Sequence, residues 1–304
     1  QLCERLGVSR TAIWKHIKAL RAEGYEIDSV TNKGYKLVME PDLLTKEEVS
    51  SCLHTRWLGK DLHCYETMDS TNLEIRRLAE AGAKHGTVAI TEEQTMGKGR
   101  RGRSWMAEAG TGIAMSFLLK PQIEAQNSSM LTLVTALAVN KAICEITGIC
   151  AKIKWPNDIY WRDKKICGIL IENDLSGHFI GRSISGIGIN INQDEFHSDA
   201  PNPVSLKQIT GQEHDRYEIL SHILKRVQIY YNSLQTEDGS TYTAEIAARY
   251  ARSLFRRRGF HPYEDADGRF SARLLRVEQD GRFVLEDENG KEREYLFKEV
   301  QYIV

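Results

Sequence analysis

Along the first forty positions the apolar residues recur with helical spacing. Ala12, Ile13, Ile17 and Leu20 fall on one side of a helix at i, i+4, i+7 intervals, while Arg10, Thr11, Lys15, His16, Lys18 and Arg21 take the rest of its surface. Ser9 stands where an N-cap belongs, and Gly24 where the helix must end. Leu2 to Leu6 predicts a short helix ahead of it, set off by the tight turn Gly7-Val8. Tyr25 to Val30 and Tyr35 to Val38 are β-prone runs, and Thr31-Asn32-Lys33-Gly34 between them is a hairpin signal.

Helix, turn, helix and then a basic-tipped hairpin is the order of a winged helix-turn-helix. In such a module the second helix enters the major groove and the wing meets backbone phosphate. The candidate DNA contacts are therefore Ser9, Arg10, Thr11, Lys15, His16 and Lys33. A module of this kind closes its core with an earlier helix. None precedes Leu2, and the chain does not begin with Met, so a short N-terminal piece is expected to be missing.

From residue 44 the pattern changes. Thr45 to Leu53, Ser70 to Ala81, Ser128 to Ile146, Asp215 to Leu234 and Thr243 to Arg258 predict helices, with Ser70 or Thr71 and Ser128 as caps. Val88 to Thr91, Ile113 to Leu119, Ile153 to Trp161, Ile166 to Asn173 and Phe179 to Ile191 predict strands, several as hairpin neighbours. Together they describe a mixed sheet with helices against it, not a doubly wound parallel sheet. Farther on, the turn dipeptides Asp267-Gly268, Asp280-Gly281 and Asn289-Gly290 separate short alternating runs, the mark of a small antiparallel β-barrel. The expected fold class is multidomain α+β, with domains over 1–43, 44–254 and 255–304.

Composition narrows the field only a little. Hydrophobic residues make up 41% and charged residues 27% of the chain, a soluble globular balance, and no apolar run approaches the roughly 18 residues of a membrane span. Lys and Arg number 41 against 42 acidic residues, so any affinity for a polyanion must come from local clustering. The six cysteines show neither a C-x-x-C pair nor zinc-finger spacing, and are expected to be buried free thiols in a reducing, cytoplasmic setting.

The densest cluster is Gly97-Lys98-Gly99-Arg100-Arg101-Gly102-Arg103-Ser104-Trp105, entered through Gln94. Glycine costs about 1 kcal/mol in a helix interior, so this is a loop. Its backbone N–H groups can close on an anion, and its cations add charge where phosphate would sit. It is formally G-x-G-x-x-G, yet Lys and Arg occupy the inner positions and no apolar helix follows, which excludes the dinucleotide fold. No Gly-Lys pair is followed by Ser or Thr, which excludes a Walker A loop.

Three further constellations carry chemistry. In Lys154-Trp155-Pro156-Asn157-Asp158, Pro156 interrupts a strand and is expected to turn Asn157 and Asp158 out of the ladder, toward a metal ion or polar ligand, or simply into a turn. Lys165 stands where a hairpin feeds a buried strand. Gly186-Ile187-Gly188-Ile189-Asn190 places glycines on one strand face, where they admit a ligand. No G-x-S-x-G elbow, H-E-x-x-H helix or other evident nucleophile occurs, so positioning and phosphate charge stabilisation suit the inventory better than covalent catalysis.

These motifs, in order and together with Asp69-Ser70-Thr71-Asn72, resemble the bifunctional biotin protein ligases that double as biotin operon repressors. The resemblance covers essentially the whole chain and implies an SH3-like C-terminal barrel. It implies a two-step reaction: biotin and ATP give biotinyl-5′-AMP, and a lysine of a biotin carboxyl carrier domain then takes the biotin. By that likeness Ser70, Thr71, Asn72, Gln94, Gly186 and Gly188 hold biotin, and Lys98, Gly99 and Arg100 close over the adenylate. Lys165 meets the carboxylate–phosphate junction, and Arg100 joins it as a catalytic candidate. Arg101, Arg103, Trp105 and Asn190 fall on the ATP side, with Asn157 and Asp158 for phosphate and Mg²⁺. Position 98 is Lys where the family usually carries Arg, so the bidentate fork is lost there. The resemblance further implies an adenylate-bound homodimer on a pseudo-palindromic operator, with carrier protein and second subunit competing for one surface. The alternative is a regulator that senses a small ligand without turnover; it would not need four loop cations and Lys165. A lipoate ligase on the related core would lack the winged helix and the Gly97–Trp105 loop.

Overall fold

The computed structural model describes residues 2–22, 24–30, 34–39, 42–97, 99, 105, 109–197, 200–234, 239–278 and 280–303. They form two compact units, Gln1–Leu43 and Leu44–Val304.

The first unit holds α1 (Leu2–Leu6), α2 (Arg10–Ala22) and the antiparallel pair β1 (Glu26–Val30) and β2 (Gly34–Met39). Ser9 Oγ accepts the Ala12 N–H at 3.2 Å, so the cap is formed. Gly7, at φ +66°, makes the turn, and the Val8 N–H donates to Cys3 O at 3.1 Å. Ile13 is buried, with Ala12, Ile17 and Leu20 half-buried beside it. The Arg21 guanidinium ties the helix to the hairpin through Ile27 O (2.9 Å from Nε) and Ser29 Oγ (3.1 Å).

The second unit begins with α3 (Lys46–Cys52), then β3 (Leu62–Met68), α4 (Thr71–Glu80), β4 (Val88–Gln94), β5 (Gly112–Leu119) and α5 (Ser129–Thr147). There follow β6 (Lys152–Lys154), β7 (Asp158–Trp161), β8 (Lys164–Ser176), β9 (Phe179–Asn190), α6 (Leu206–Thr210), α7 (Arg216–Leu234) and α8 (Gly239–Ser253). The seven strands form one mixed sheet in the order β3-β4-β5-β9-β8-β7-β6. Only β3 and β4 run parallel, because α4 carries the chain over between them. All eight residues of β5 are buried, as a strand covered on both faces requires. One face packs on α4 through Ile75, Ala89, Leu118 and Ile184; α5, α7 and α8 build the main core against the other.

The C-terminal sheet consists of β10 (His261–Asp265), β11 (Gly268–Val277), β12 (Phe283–Asp287), β13 (Glu292–Tyr295) and β14 (Gln301–Tyr302). It is antiparallel in the order β13-β12-β11-β10-β14, consistent with an SH3-like barrel, and Gly268, Gly281 and Gly290 all take positive φ at its turns. Its core is continuous with that of the central sheet: Trp155 stacks on Phe283 with centroids 4.8 Å apart and donates from Nε1 to Gly281 O at 3.1 Å.

Several expectations change. Ile153 to Trp161 is two strands, and Asp158 is not turned out of the ladder: it pairs with Lys154 across the β6–β7 turn. The last core helix stops at Ser253 instead of Arg258, since Leu254 bridges to Ile153 and the Phe255 N–H donates to Ile153 O at 2.8 Å. Ser70 and Ser128 occupy cap positions without a side-chain capping bond; Ser128 is itself helical, following a 3₁₀ turn. Residues 125–147 do reach the length and apolar character of a membrane span, but the apolar stretch is mostly buried and α5 is the central core helix. Of the six free thiols only Cys167 is fully buried, and Cys150 is exposed.

Candidate functional site

A cavity of about 690 Å³ opens on the α4 face of the sheet. Its floor is set by strand register. Ser116 of β5 faces Gly186 of β9, which faces Leu170 of β8; the next row is Ala114, Gly188 and Gly168. Side chains alternate along a strand, so Gly186, Gly188 and Asn190 share one face.

The N-terminus of α4 supplies one wall. Ser70, Thr71 and Asn72 are buried and line the cavity. Asp69 accepts the Ser70 N–H at 2.7 Å and pairs with Arg77, whose guanidinium holds the Asp69 carboxyl below its ordinary range. Gln94, the last residue of β4, accepts from Thr71 through Oε1, 2.9 Å from the amide nitrogen and 3.2 Å from Oγ1. Ser116 Oγ lies 2.7 Å from Thr71 Oγ1 and 2.6 Å from Asn72 Oδ1.

The glycines admit side chains. A Cβ at Gly186 would stand 2.1 Å from Asn72 Oδ1, and one at Gly188 2.3 Å from Trp105 Cε2. The Trp105 indole thus lies over the Gly168–Gly188 row, and its Nε1 is buried with no partner among the described residues. The two ends of the glycine-rich loop meet where the Trp105 N–H donates to Gly97 O at 2.9 Å, and Gly99 lines the cavity. Lys98, Arg100, Arg101 and Arg103 lie outside the described residues, as does Lys33 of the wing.

Lys165 Nζ stands 5.7 Å from the indole centroid and 2.9 Å from Asp158 Oδ1. Asn190 directs Nδ2 at Lys165 O and Val204 O, each 3.4 Å away, so its Oδ1 is the polar end left for a ligand. Four lysines (154, 164, 165 and 298) and two aspartates (158 and 163) line the cavity, which is therefore cationic. Asn157 does not join it. That side chain is buried in the β6–β7 turn and donates from Nδ2 to Ile169 O.

Three contributions were missed in the sequence. Ser116 is a single polar residue inside an apolar strand, a signal that a polar neighbour must exist, whereas Glu172 opens the polar run Glu172-Asn173-Asp174 and carries no such signal. The third is the Phe297–Tyr302 segment of the C-terminal sheet, where Phe297, Lys298 and Tyr302 line the cavity; no sequence pattern announces that. Burial pushes the Cys167 thiol up, so the cysteine nearest the floor is held as a thiol and offers no nucleophile. In the first unit Arg10, Thr11, Lys15 and His16 are exposed along α2, and Ser9 serves as the cap.

Residues 65–190 match the biotin/lipoate A/B protein ligase family, and residues 1–36 match an HTH domain. The chain is 36% identical over 303 residues to the bifunctional ligase/repressor BirA of Bacillus subtilis, covering 97% of this chain and 90% of the relative. It is 29% identical over 245 residues to the protein of that name from Escherichia coli, covering 80% and 74%. Among solved structures, the biotin protein ligase from Aquifex aeolicus in complex with biotin and ATP superposes with a TM-score of 0.65 at 32% identity, over 80% of this chain and 99% of that one.

Proposed function

The chain belongs to the family of bifunctional biotin protein ligases and repressors, and from that premise we propose how its cavity and its first unit divide the work. It is an ATP-dependent ligase that transfers biotin to protein, and it represses transcription through its HTH unit. A carboxylate oxygen of biotin attacks the α-phosphorus of ATP, forming biotinyl-5′-AMP and releasing pyrophosphate. The amine of an acceptor lysine on a carrier domain then attacks the acyl carbon, and AMP leaves with the proton lost from nitrogen.

The observation that carries this reading is the meeting of two unlike polar ends in one cationic cavity. Ser70, Thr71, Asn72 and Gln94 give hydroxyl and amide groups for the ureido and tail atoms of biotin. Trp105 gives a flat apolar face with an N–H, and Asn190 Oδ1 accepts from an exocyclic amine such as that of adenine. Lys165 lies beside the indole, where the carboxylate and α-phosphate meet, and its ammonium offsets the charge that builds on the transferring oxygens. Asp158 holds that ammonium in place before the ligand arrives. By the family likeness Lys98, Gly99 and Arg100 close over the adenylate, with Arg101 and Arg103 on its ATP side.

Mg²⁺ would neutralise phosphate charge here. No cluster of three His, Cys, Asp or Glu side chains is placed for a metal among the described residues. That fits Mg²⁺, which needs only one or two carboxylates beside water and substrate phosphates. Asp158 is the carboxylate to hold it.

The outward face of α2 reads the operator, Arg10, Thr11, Lys15 and His16 at the groove and Lys33 at the backbone. The adenylate promotes a homodimer, and two winged helices then meet the half-sites of a pseudo-palindrome. Both activities belong to the cytoplasm, where ATP, carrier and operator are found. The test is incorporation of labelled biotin into a biotin carboxyl carrier domain. Transfer that requires ATP supports the ligase; tight biotin binding without transfer would replace it by a ligand-sensing regulator.

A further inference from the structure

Asn72 is gripped at both ends of its carboxamide. Ser116 Oγ lies 2.6 Å from Oδ1, and Nδ2 donates to Glu172 Oε2 at 2.7 Å. Ser116 is on β5 and Glu172 on β8, on either side of β9, with the amide laid over Gly186 between them. A carboxylate only accepts hydrogen bonds, and a hydroxyl can donate one. Rotating the amide by half a turn would set Oδ1 against the carboxylate, acceptor to acceptor. The clamp thus allows one orientation. In it, one Nδ2 hydrogen is engaged by Glu172 and the second remains for the cavity that Asn72 lines. Glu172 is supported in turn: Arg76 Nη2 lies 3.8 Å from its Oε1, and Arg76 Nη1 lies 3.1 Å from Asp174 Oδ1.

We propose that Glu172, with Ser116 as its counterpart, is a positioning residue for the biotin subsite, holding the Asn72 amide so that it offers an N–H to an acceptor oxygen of the ligand. The inference rests on the biotin reading of the cavity. Glu172 touches no ligand in this account; it acts through Asn72.

The test is calorimetric titration of the full chain with biotin, comparing the unsubstituted protein with E172A, E172Q, S116A, N72A and N72A/E172A. A hydrogen bond to a charged group is lost in E172A, so biotin affinity should fall about tenfold or more. E172Q keeps an acceptor oxygen and should recover most of that loss. S116A removes a neutral bond and should weaken binding about threefold. Because Glu172 works through Asn72, the double variant should bind no more weakly than N72A alone. Wild-type affinity in E172A or S116A, or losses that add in the double variant, overturn the proposal. Should E172A fail to fold, E172Q and S116A still decide it, since a sequence-tolerant packing role would leave S116A unchanged. Biotinyl-AMP formation by the unsubstituted protein is read separately. Its absence with biotin still bound sinks the ligase reading and leaves the Glu172 comparison intact; absence of any biotin binding overturns both.

Discussion

Gly188 lies so close beneath Trp105 that a Cβ there would stand 2.3 Å from the indole Cε2. The crowded atoms belong to a side chain and not to backbone, so G188A displaces the indole without breaking β9. Misplacing a binding surface by about 1 Å can cost on the order of 100-fold in rate. The expected outcome is a fall in kcat/KM for ATP of at least about tenfold, with a Tm within a few degrees of the parent. Unchanged ATP kinetics would remove the indole from the nucleotide site.

Repression and ligation draw on different residues and should separate. R10A and K15A each remove an exposed cation of α2. Each should weaken operator binding and lower the slope of log affinity against log salt by about 1, while biotin transfer stays at the parent rate. Fluorescence anisotropy at several salt concentrations reads the slope. Unaltered affinity and slope in both variants would exclude α2 as the helix that enters the groove.

The most deeply buried ion pair among the described residues joins Arg216 to Glu92. Arg216 is fully buried; its Nη1 lies 2.6 Å from Glu92 Oε2 and 3.1 Å from Gly112 O, and Glu92 Oε1 accepts the Leu44 N–H at 2.7 Å. R216M leaves the Glu92 carboxylate without its cation, which should cost roughly 3–5 kcal/mol and lower Tm by roughly 6–20 °C. Removing both charges in R216M/E92L should restore much of that loss. Calorimetry of the three proteins checks the order.

Two histidines set an acid limit. His85 packs between Trp57 and Tyr231 at 4.3 and 5.3 Å, and its Nδ1 accepts the Lys120 N–H at 3.0 Å, a bond only the neutral ring can accept. Burial, aided by the Lys120 charge, holds its pKa below the ordinary value, and burial does the same for His214. An unfolded chain takes up these protons near pH 6.5, about where free histidine titrates, and the folded chain only at lower pH. The stabilisation is therefore complete above that pH and is lost as pH falls through the depressed folded values. Tm should decline as the buffer is taken from about pH 7 toward 5, less steeply in H85Q. A Tm that rises over that interval would contradict the burial argument.

The sequence shows most of this architecture because its signals are local. Ala12, Ile13, Ile17 and Leu20 reveal α2 by spacing alone, and the three Asp-Gly and Asn-Gly turns mark the C-terminal hairpins. What fails is also local in cause. Asn157 after Pro156 looks like an exposed turn residue, and only the β8 backbone at Ile169 shows that its amide is used internally. The reading of Gly186 and Gly188 as openings for a ligand is incomplete, since Asn72 and Trp105 come from distant segments to lie on them. Contacts between β5, β8 and α4, such as the Ser116–Asn72–Glu172 clamp, depend on strand order, and nothing local encodes that.

The central claim is that the cavity activates biotin as an adenylate with Lys165 at the reacting atoms. The direct measurement is mass-spectrometric detection of biotinyl-5′-AMP from biotin and Mg-ATP without carrier protein, in the parent and in K165A. The Lys165–Asp158 pair is partly exposed and contributes no more than about 1 kcal/mol to folding, so the variant should fold normally. The account predicts adenylate in the parent and a rate lower by roughly 100- to 1,000-fold in K165A. No adenylate from the parent, or an equal rate from K165A, would contradict it.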